Sequence, residues 1–242
     1  METQTPKHEP KIVLAIGAHP DDLEFGVSGS VAAWTAQGVQ VHYLICTDAS
    51  KGTEDRTITR DALVELRRDE QRAAAKILGV STVTFFNYED GTLESTPDLK
   101  RDIVREIRRL KPDTVVAMDP LSVYDATRGY INHSDHRNAG LAAMDAVYPL
   151  ARDYLSYPEL LADGFEPHKV VDLLFLDMGQ RKSNHFVDIS TTFEIKLEAL
   201  AAHESQIDVE EVRGMLDAMS RQAGSTAGIE RAESFIRLRL FI

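Results

Sequence analysis

Two short clusters of imidazoles and carboxylates stand apart from the rest of the chain: Ala18-His19-Pro20-Asp21-Asp22-Leu23-Glu24-Phe25-Gly26 and Asn132-His133-Ser134-Asp135-His136-Arg137. Imidazole nitrogen and carboxylate oxygen are the donors that catalytic divalent metals take, and two histidines with one carboxylate leave a coordination position open. Such a set suits catalytic zinc and equally non-haem Fe(II). The open position admits water, whose pKa the metal lowers toward ~7, so hydroxide is available at neutral pH. In a pair such as Asp21-Asp22, one carboxylate can ligate while its neighbour takes that water's proton. Taken singly, each feature has an ordinary alternative. Asp21-Asp22 reads equally as a solvated turn or helix start, and His133 with His136 as a solvated first helical turn. Their joint occurrence at two predicted strand ends points to a metal hydrolase.

The elements around the clusters predict how they meet. Apolar runs predict strands over 12–16, 39–46, 83–86, 114–118 and 170–176. Helical spacing predicts helices over 28–37, 61–78, 98–110, 135–150, 191–206 and 208–222, several of them stopped by Gly or Pro. The tail over 235–241 alternates apolar and basic residues and suits an edge strand. The segment 152–168 has no assignable pattern. No repeat, low-complexity tract or linker divides the chain, so 1–242 reads as a single α/β domain. Alternating strands and helices imply right-handed crossovers and a Rossmann-like three-layer sandwich with a mainly parallel sheet. In such sheets ligands bind beyond the carboxyl ends of strands where the order reverses. If the first and fourth strands are neighbours, both clusters converge there.

Composition excludes several classes. Lys and Arg number 27 against 39 Asp and Glu, a net charge of −12, which argues against nucleic acid or an anionic membrane as partner. The single cysteine, Cys46, rules out an intramolecular disulfide and lies in an apolar run, as a buried structural thiol does. The amino terminus is polar, and no apolar stretch is long enough to span a bilayer, so a cytoplasmic protein is expected. The turn after the first strand, Gly17-Ala18-His19-Pro20, lacks the G-x-G-x-x-G pattern of a dinucleotide site.

The clusters also match signatures. His19-Pro20-Asp21-Asp22-Leu23-Glu24 fits H-P-D-D-x-E and His133-Ser134-Asp135-His136 fits H-x-D-H, and with them the chain resembles the LmbE-like/PIG-L zinc-dependent N-deacetylases. Arg67-x-x-Glu70, Ala74 to Gly79, Asp90-Gly91-Thr92-Leu93 and Lys111 to Val116 extend the resemblance. Val187 to Ser190 and Lys196 to Gln206 follow more weakly. Residues 12–150 are well covered and 170–206 in part. The departures are Ser134, where the family often has Pro, and Ala49, where it commonly has Gly.

The resemblance implies a metal held by His19, Asp22 and His136, a general base in Asp21, and His133 polarising the substrate carbonyl and helping the amine leave. It implies zinc (Zn2+), with Fe2+ open to the same ligands, a small amino-sugar substrate, and a homo-oligomer, trimeric or hexameric. The implied reaction is hydrolytic removal of an acetyl group from an N-acetylated amino sugar or sugar conjugate. An amidase for a larger acyl or thiol conjugate is the rival within the family, and a non-catalytic Rossmann-like binder the rival from another class. Arg67, Asp90 and Arg128, with Tyr130, are candidates for the substrate side, Arg67 reading equally as a helix-surface arginine, and Asp48 reads equally as a partner orienting His19 or as a simple turn residue. His185 and His203 read as structural or supporting, Trp34 as core, and His8, His42 and His168 carry no signal.

Overall fold

The computed structural model describes residues 9–177 and 183–241; His8 and the stretch before it lie outside them. Among the described residues the strands are β1 (Ile12–Gly17), β2 (Gln40–Thr47), β3 (Thr82–Tyr88), β4 (Thr114–Ala117), β5 (Tyr124–Asp125), β6 (Tyr130–Ile131), β7 (Asp172–Leu176), β8 (His185–Asp188) and β9 (Ala232–Arg239). The helices are α1 (Asp22–Gly26), α2 (Ser28–Ala36), α3 (Arg60–Ile77), α4 (Pro97–Leu110), α5 (Ser134–Asp145), α6 (Pro158–Ala162), α7 (Phe193–Ala201) and α8 (Val209–Ala227). Seven strands form one sheet in the order β3-β2-β1-β4-β7-β9-β8, parallel through β7, with β9 antiparallel to both neighbours. β5 and β6 pair as a separate hairpin. This is the α/β architecture with a mainly parallel sheet that the sequence predicts.

Successive residues of a strand face opposite sides, and here both sides are apolar. Leu14 and Ile16 of β1 join one cluster with Ile103 and Ile107 of α4 and Ala142 of α5. Val13 and Ala15 join another with Val31 and Trp34 of α2 and Ala74 of α3. Each fully buried Leu, Ile or Val contributes about 1.5–3 kcal/mol, so the strand ends are held from two faces. β1 lies between β2 and β4, the sheet grows outward from that pair in both directions, and the carboxyl ends of β1 and β4 frame the switch-point crevice.

The tail is not the edge it was expected to be. β9 is flanked by β7 and β8, and its alternation reflects two differently covered faces: Ile236 packs into the cluster with Leu14 and Ile103, while Arg237, facing the other way, donates to Asp172 at 2.7 Å. The edge on this side is the short β8, and β3 is the other edge. The helix expected over 135–150 ends at Asp145, followed by a wide turn at Ala146–Leu150 containing Pro149, which cannot continue the backbone ladder. The helix expected over 191–206 spans only Phe193–Ala201, whereas α8 runs past 222 to Ala227 and stops at Gly228 (φ 75°). The unassigned 152–168 segment carries α6. It is organised by the buried Arg108, whose guanidinium donates to the carbonyls of Leu150, Ala151, Asp153 and Ser156.

Candidate active site

The first cluster closes its own turn. Asp22 Oδ2 accepts from the backbone N–H groups of Ala18 (2.9 Å) and His19 (2.8 Å), which folds residues 18–22 over the end of β1 and opens α1. Asp21 is left in the left-handed region at φ 88°, a conformation that costs a non-glycine residue energy and needs support. Gln71 of α3 provides it, its Oε1 accepting from Asp21 N–H at 3.3 Å. Gln71 Nε2 donates to Glu24 Oε1 at 3.0 Å, and the other Glu24 oxygen meets His203 Nε2 at 3.2 Å. Gln71, Glu24 and His203 are fully buried.

The second cluster opens α5. His133 is its N-cap, with Nδ1 accepting from Asp135 N–H at 3.1 Å. Asp135 is fully buried and points away from its own helix, accepting from Gly91 N–H at 2.7 Å and Leu93 N–H at 3.2 Å. Gly140 seats the helix on β4, since a Cβ there would run into the carbonyl of Met118.

The clusters converge as the topology predicts. The His19 ring centroid lies 4.8 Å from that of His133 and 5.4 Å from that of His136. His19 Nε2 meets Asp135 Oδ2 at 3.2 Å and Asp90 Oδ1 at 3.3 Å, while its Nδ1 lies 3.7 Å from Asp22 Oδ2. His136 Nδ1 meets Asn132 Oδ1 at 2.9 Å, and its Nε2 lies 3.0 Å from Asp22 Oδ1. Carboxylate and amide oxygens only accept, so the far nitrogen of each ring carries a proton and the near nitrogens turn toward Asp22. One nitrogen each from His19, His133 and His136 lie within 4.8 Å of one another, and an overlapping group joins His19, Asp90, His133 and Asp135.

Charge in the site is lopsided. Asp21, Asp22, Asp90 and Asp135 surround the rings, and the buried Arg67 opposes them from one side. Arg67 Nη2 lies 3.3 Å from Asp21 Oδ2 and donates to Pro20 O, while Nη1 donates to Lys51 O. Burial disfavours charge on His19, but Asp135 and Asp90 outweigh it and lift the ring to about 10. Burial likewise opposes the Asp22 carboxylate, yet His136 and His19 hold it below the usual range. Burial first and the Asp22 charge second push Asp21 up to about 7. Burial and the neighbouring His19 keep His133 below its ordinary value. A divalent cation fits such a donor set, because it offsets the crowded carboxylates and accepts the nitrogens turned toward Asp22.

A cavity of about 710 Å³ opens over these groups. Arg67, Asp90, Arg128 and Tyr130 line it together with Asp21, His19, His133 and His136. Arg128 sits at the β5–β6 turn with Nε 3.6 Å from Asp125 Oδ2. Asp48 is placed otherwise than as a partner of His19: its Oδ1 accepts from the N–H groups of Ser50 (3.0 Å) and Asp90 (3.1 Å), bracing the loop that carries Asp90. Sequence reasoning missed the orienting partners Asn132, Asp135 and Gln71. The first two stand inside the second motif, but spacing does not reveal which direction each side chain takes, and Gln71 carried no signal. Elsewhere, His42 bonds to Thr82 Oγ1, His168 donates to Pro112 O, and His185 lies beside Phe235 on β8. Trp34 is buried in the core, and Cys46 is fully buried.

Similarity to known proteins bears on the same residues. The family model described as PIG-L, GlcNAc-PI de-N-acetylase, matches residues 14–147, a span that contains both clusters. The chain is 35% identical over 201 residues to a diacetylchitobiose deacetylase of Thermococcus kodakarensis, covering 83% of this chain and 72% of that one. It is 28% identical to a 1D-myo-inositol 2-acetamido-2-deoxy-alpha-D-glucopyranoside deacetylase of Actinosynnema mirum, covering 83% and 82%. The structure of N,N'-diacetylchitobiose deacetylase from Pyrococcus horikoshii, complexed with an inhibitor, superposes with a TM-score of 0.88 at 29% identity, covering 98% of this chain and 86% of that one. No helix among the described residues is long and apolar enough to cross a membrane.

Proposed function

The chain belongs to the PIG-L (GlcNAc-PI de-N-acetylase) family, and from that premise we propose that it is a metal-dependent hydrolase removing the acetyl group from an N-acetylated amino sugar or sugar conjugate. One observation carries the metal assignment. The far nitrogens of His19 and His136 are tied to Asp135 and Asn132, which leaves His19 Nδ1 and His136 Nε2 on either side of the Asp22 carboxylate. His19, Asp22 and His136 would hold the ion, zinc or Fe2+; the overlapping group is disfavoured because Asp135 Oδ2 already serves Gly91 N–H and His19. A divalent ion there supplies Lewis acidity and a water of lowered pKa.

The chain's own groups supply the proton traffic. Asp21, placed beside Asp22 and raised toward neutrality, takes a proton from the attacking water and returns it to the nitrogen as the C–N bond breaks, giving acetate and a free amine. His133 has Nδ1 engaged by Asp135 N–H, so in its neutral form the proton sits on Nε2, available to the amide oxygen as charge develops there. Gln71 fixes the backbone that carries Asp21, and Arg67 stabilises its ionised form.

The test is release of primary amine from N-acetylglucosamine, diacetylchitobiose and related conjugates by metal-loaded protein, with His136→Ala as the blank. Release that vanishes in the blank supports the reading. Asp21→Asn is expected to keep the metal and lose turnover by about 10²–10⁴-fold. Near-parental rates in Asp21→Asn would overturn the base assignment, and full metal occupancy in His136→Ala the ligand assignment.

A further inference from the structure

The cavity lining is of two kinds. Lys51 of the loop after β2, Arg67 of α3 and Asp90 of the loop after β3 offer polar atoms that can meet sugar hydroxyls. Phe25, Leu176, Met215 and Met219 make an apolar wall. Met215 and Met219 are one turn apart and share a face of α8. Met215 is 50% exposed. Neither methionine belongs to the apolar clusters that hold the fold together; α8 is anchored instead through Leu216. Their apolar surface therefore faces the cavity without serving the core. Thioether side chains adapt to irregular or flat apolar partners and make favourable contacts with aromatic rings.

An acetyl group is too small to cover four such side chains, and the hydroxyls at the rim of a pyranose are better met by the polar atoms of Lys51, Arg67 and Asp90. We infer that it is a subsite for an apolar substituent on the amino sugar, an alkyl or aryl aglycone, and this rests on the N-deacetylase reading above. With the acetamido group at the histidines and the ring hydroxyls toward Lys51 and Arg67, the aglycone runs along α8. The substrate class is then a hydrophobic glycoside of N-acetylglucosamine rather than a wholly polar conjugate.

The experiment compares kcat/KM of the metal-loaded full chain for N-acetylglucosamine, diacetylchitobiose, and the hexyl and phenyl glycosides of N-acetylglucosamine. Calorimetry adds Kd values for the amine products, hexyl glucosaminide against glucosamine. The apolar glycosides are expected to gain about tenfold or more over the free sugar in kcat/KM and in product affinity. That ratio should collapse toward one in Met215→Ser/Met219→Ser and survive in Met215→Leu/Met219→Leu. Equal values for apolar and free sugars, or a preference that survives the double Ser variant, overturns the subsite. Faster cleavage of an N-hexanoyl than an N-acetyl sugar assigns the wall to the acyl side and overturns it too. No amine release from any compound, with hexyl glucosaminide still binding more tightly and losing that gain in the double Ser variant, sinks the deacetylase reading while supporting the subsite.

Discussion

Asp135→Asn changes one buried atom and separates two roles that share a carboxylate. Oδ2 receives Gly91 N–H at 2.7 Å and His19 Nε2 at 3.2 Å, and Oδ1 receives Leu93 N–H at 3.2 Å. These three partners donate, as does Ser134 Oγ to Oδ1 at 3.4 Å, so an amide must aim its NH2 group at a backbone donor whichever way it turns. With its oxygen toward Gly91 and His19, Leu93 N–H is orphaned. With its oxygen toward Leu93, Gly91 N–H is orphaned and His19 must accept at Nε2, moving its proton to Nδ1, the nitrogen that faces Asp22. One unsatisfied buried donor costs about 1–3 kcal/mol, which at roughly 2–4 °C per kcal/mol lowers Tm by about 2–12 °C. If His19 ligates the metal as proposed, loss of the charged partner that fixes its ring costs about 10–100-fold in metal affinity. Scanning calorimetry reads the first quantity, and competition of the metal-free protein against a chromophoric zinc chelator reads the second. Asp48→Asn is the control: its carboxylate oxygen serves only the backbone of Ser50 and Asp90, a task an amide oxygen can take over. Parental metal affinity alongside a lowered Tm would refute Asp135 as the orienting partner of His19 and leave it a brace for the Gly91 turn. Parental values in both would refute the network.

Arg67→Met removes the cation 3.3 Å from Asp21, and because Asp21 in its proposed role as base must be ionised, the acid limb of kcat/KM against pH should move upward; an unmoved limb would mean Arg67 does not set the charge of Asp21. Gln71→Met releases the backbone of Asp21 and should lower kcat by about 10²-fold, with metal affinity within threefold of the parent by the same chelator competition. Gly140→Ala drives a methyl group into the carbonyl of Met118 and should cost about 1–3 kcal/mol in a denaturant melt, while Leu141→Ala, on an exposed position of the same helix, should not.

What the sequence discloses and what it hides divide along physical lines. The five parallel strands were readable because each is apolar on both faces and flanked by Gly, Pro or polar turns, and their order follows once β1 and β4 are neighbours. The tail strand misled because alternation reports two unlike faces, and an edge strand and a strand between two others can both have those. The 152–168 segment had no readable pattern because it is ordered by the carbonyl bonds of Arg108 on α4, 42 to 48 residues earlier in the sequence, and not by any period of its own. The residue types of the site were legible; the pairings were not. Nothing in the spacing of Asn132, His133, Asp135 and His136 says that Asp135 reaches across to His19 while Asn132 reaches forward to His136.

The spacing of both motifs follows from how each turn closes. A carboxylate at 22 is placed to collect the N–H groups of residues 18 and 19, and doing so with Oδ2 leaves Oδ1 facing His136. The same closure forces residue 21 into the left-handed region, which sets the Asp21 side chain beside the cavity rather than along the helix and requires Gln71 to hold it. In the second motif, capping by His133 consumes Nδ1 and leaves Nε2 as its donor, and position 136, one turn on, looks back at Asp22. Position 135 faces the other way, to the loop after β3, and through it the second helix holds a ring of the first turn. Each motif thus needs the other to be complete. An insertion of one residue in either turn should abolish metal binding while leaving the seven-stranded sheet, whose core lies beneath both turns, able to form; a metal-competent insertion variant by chelator competition would contradict this account.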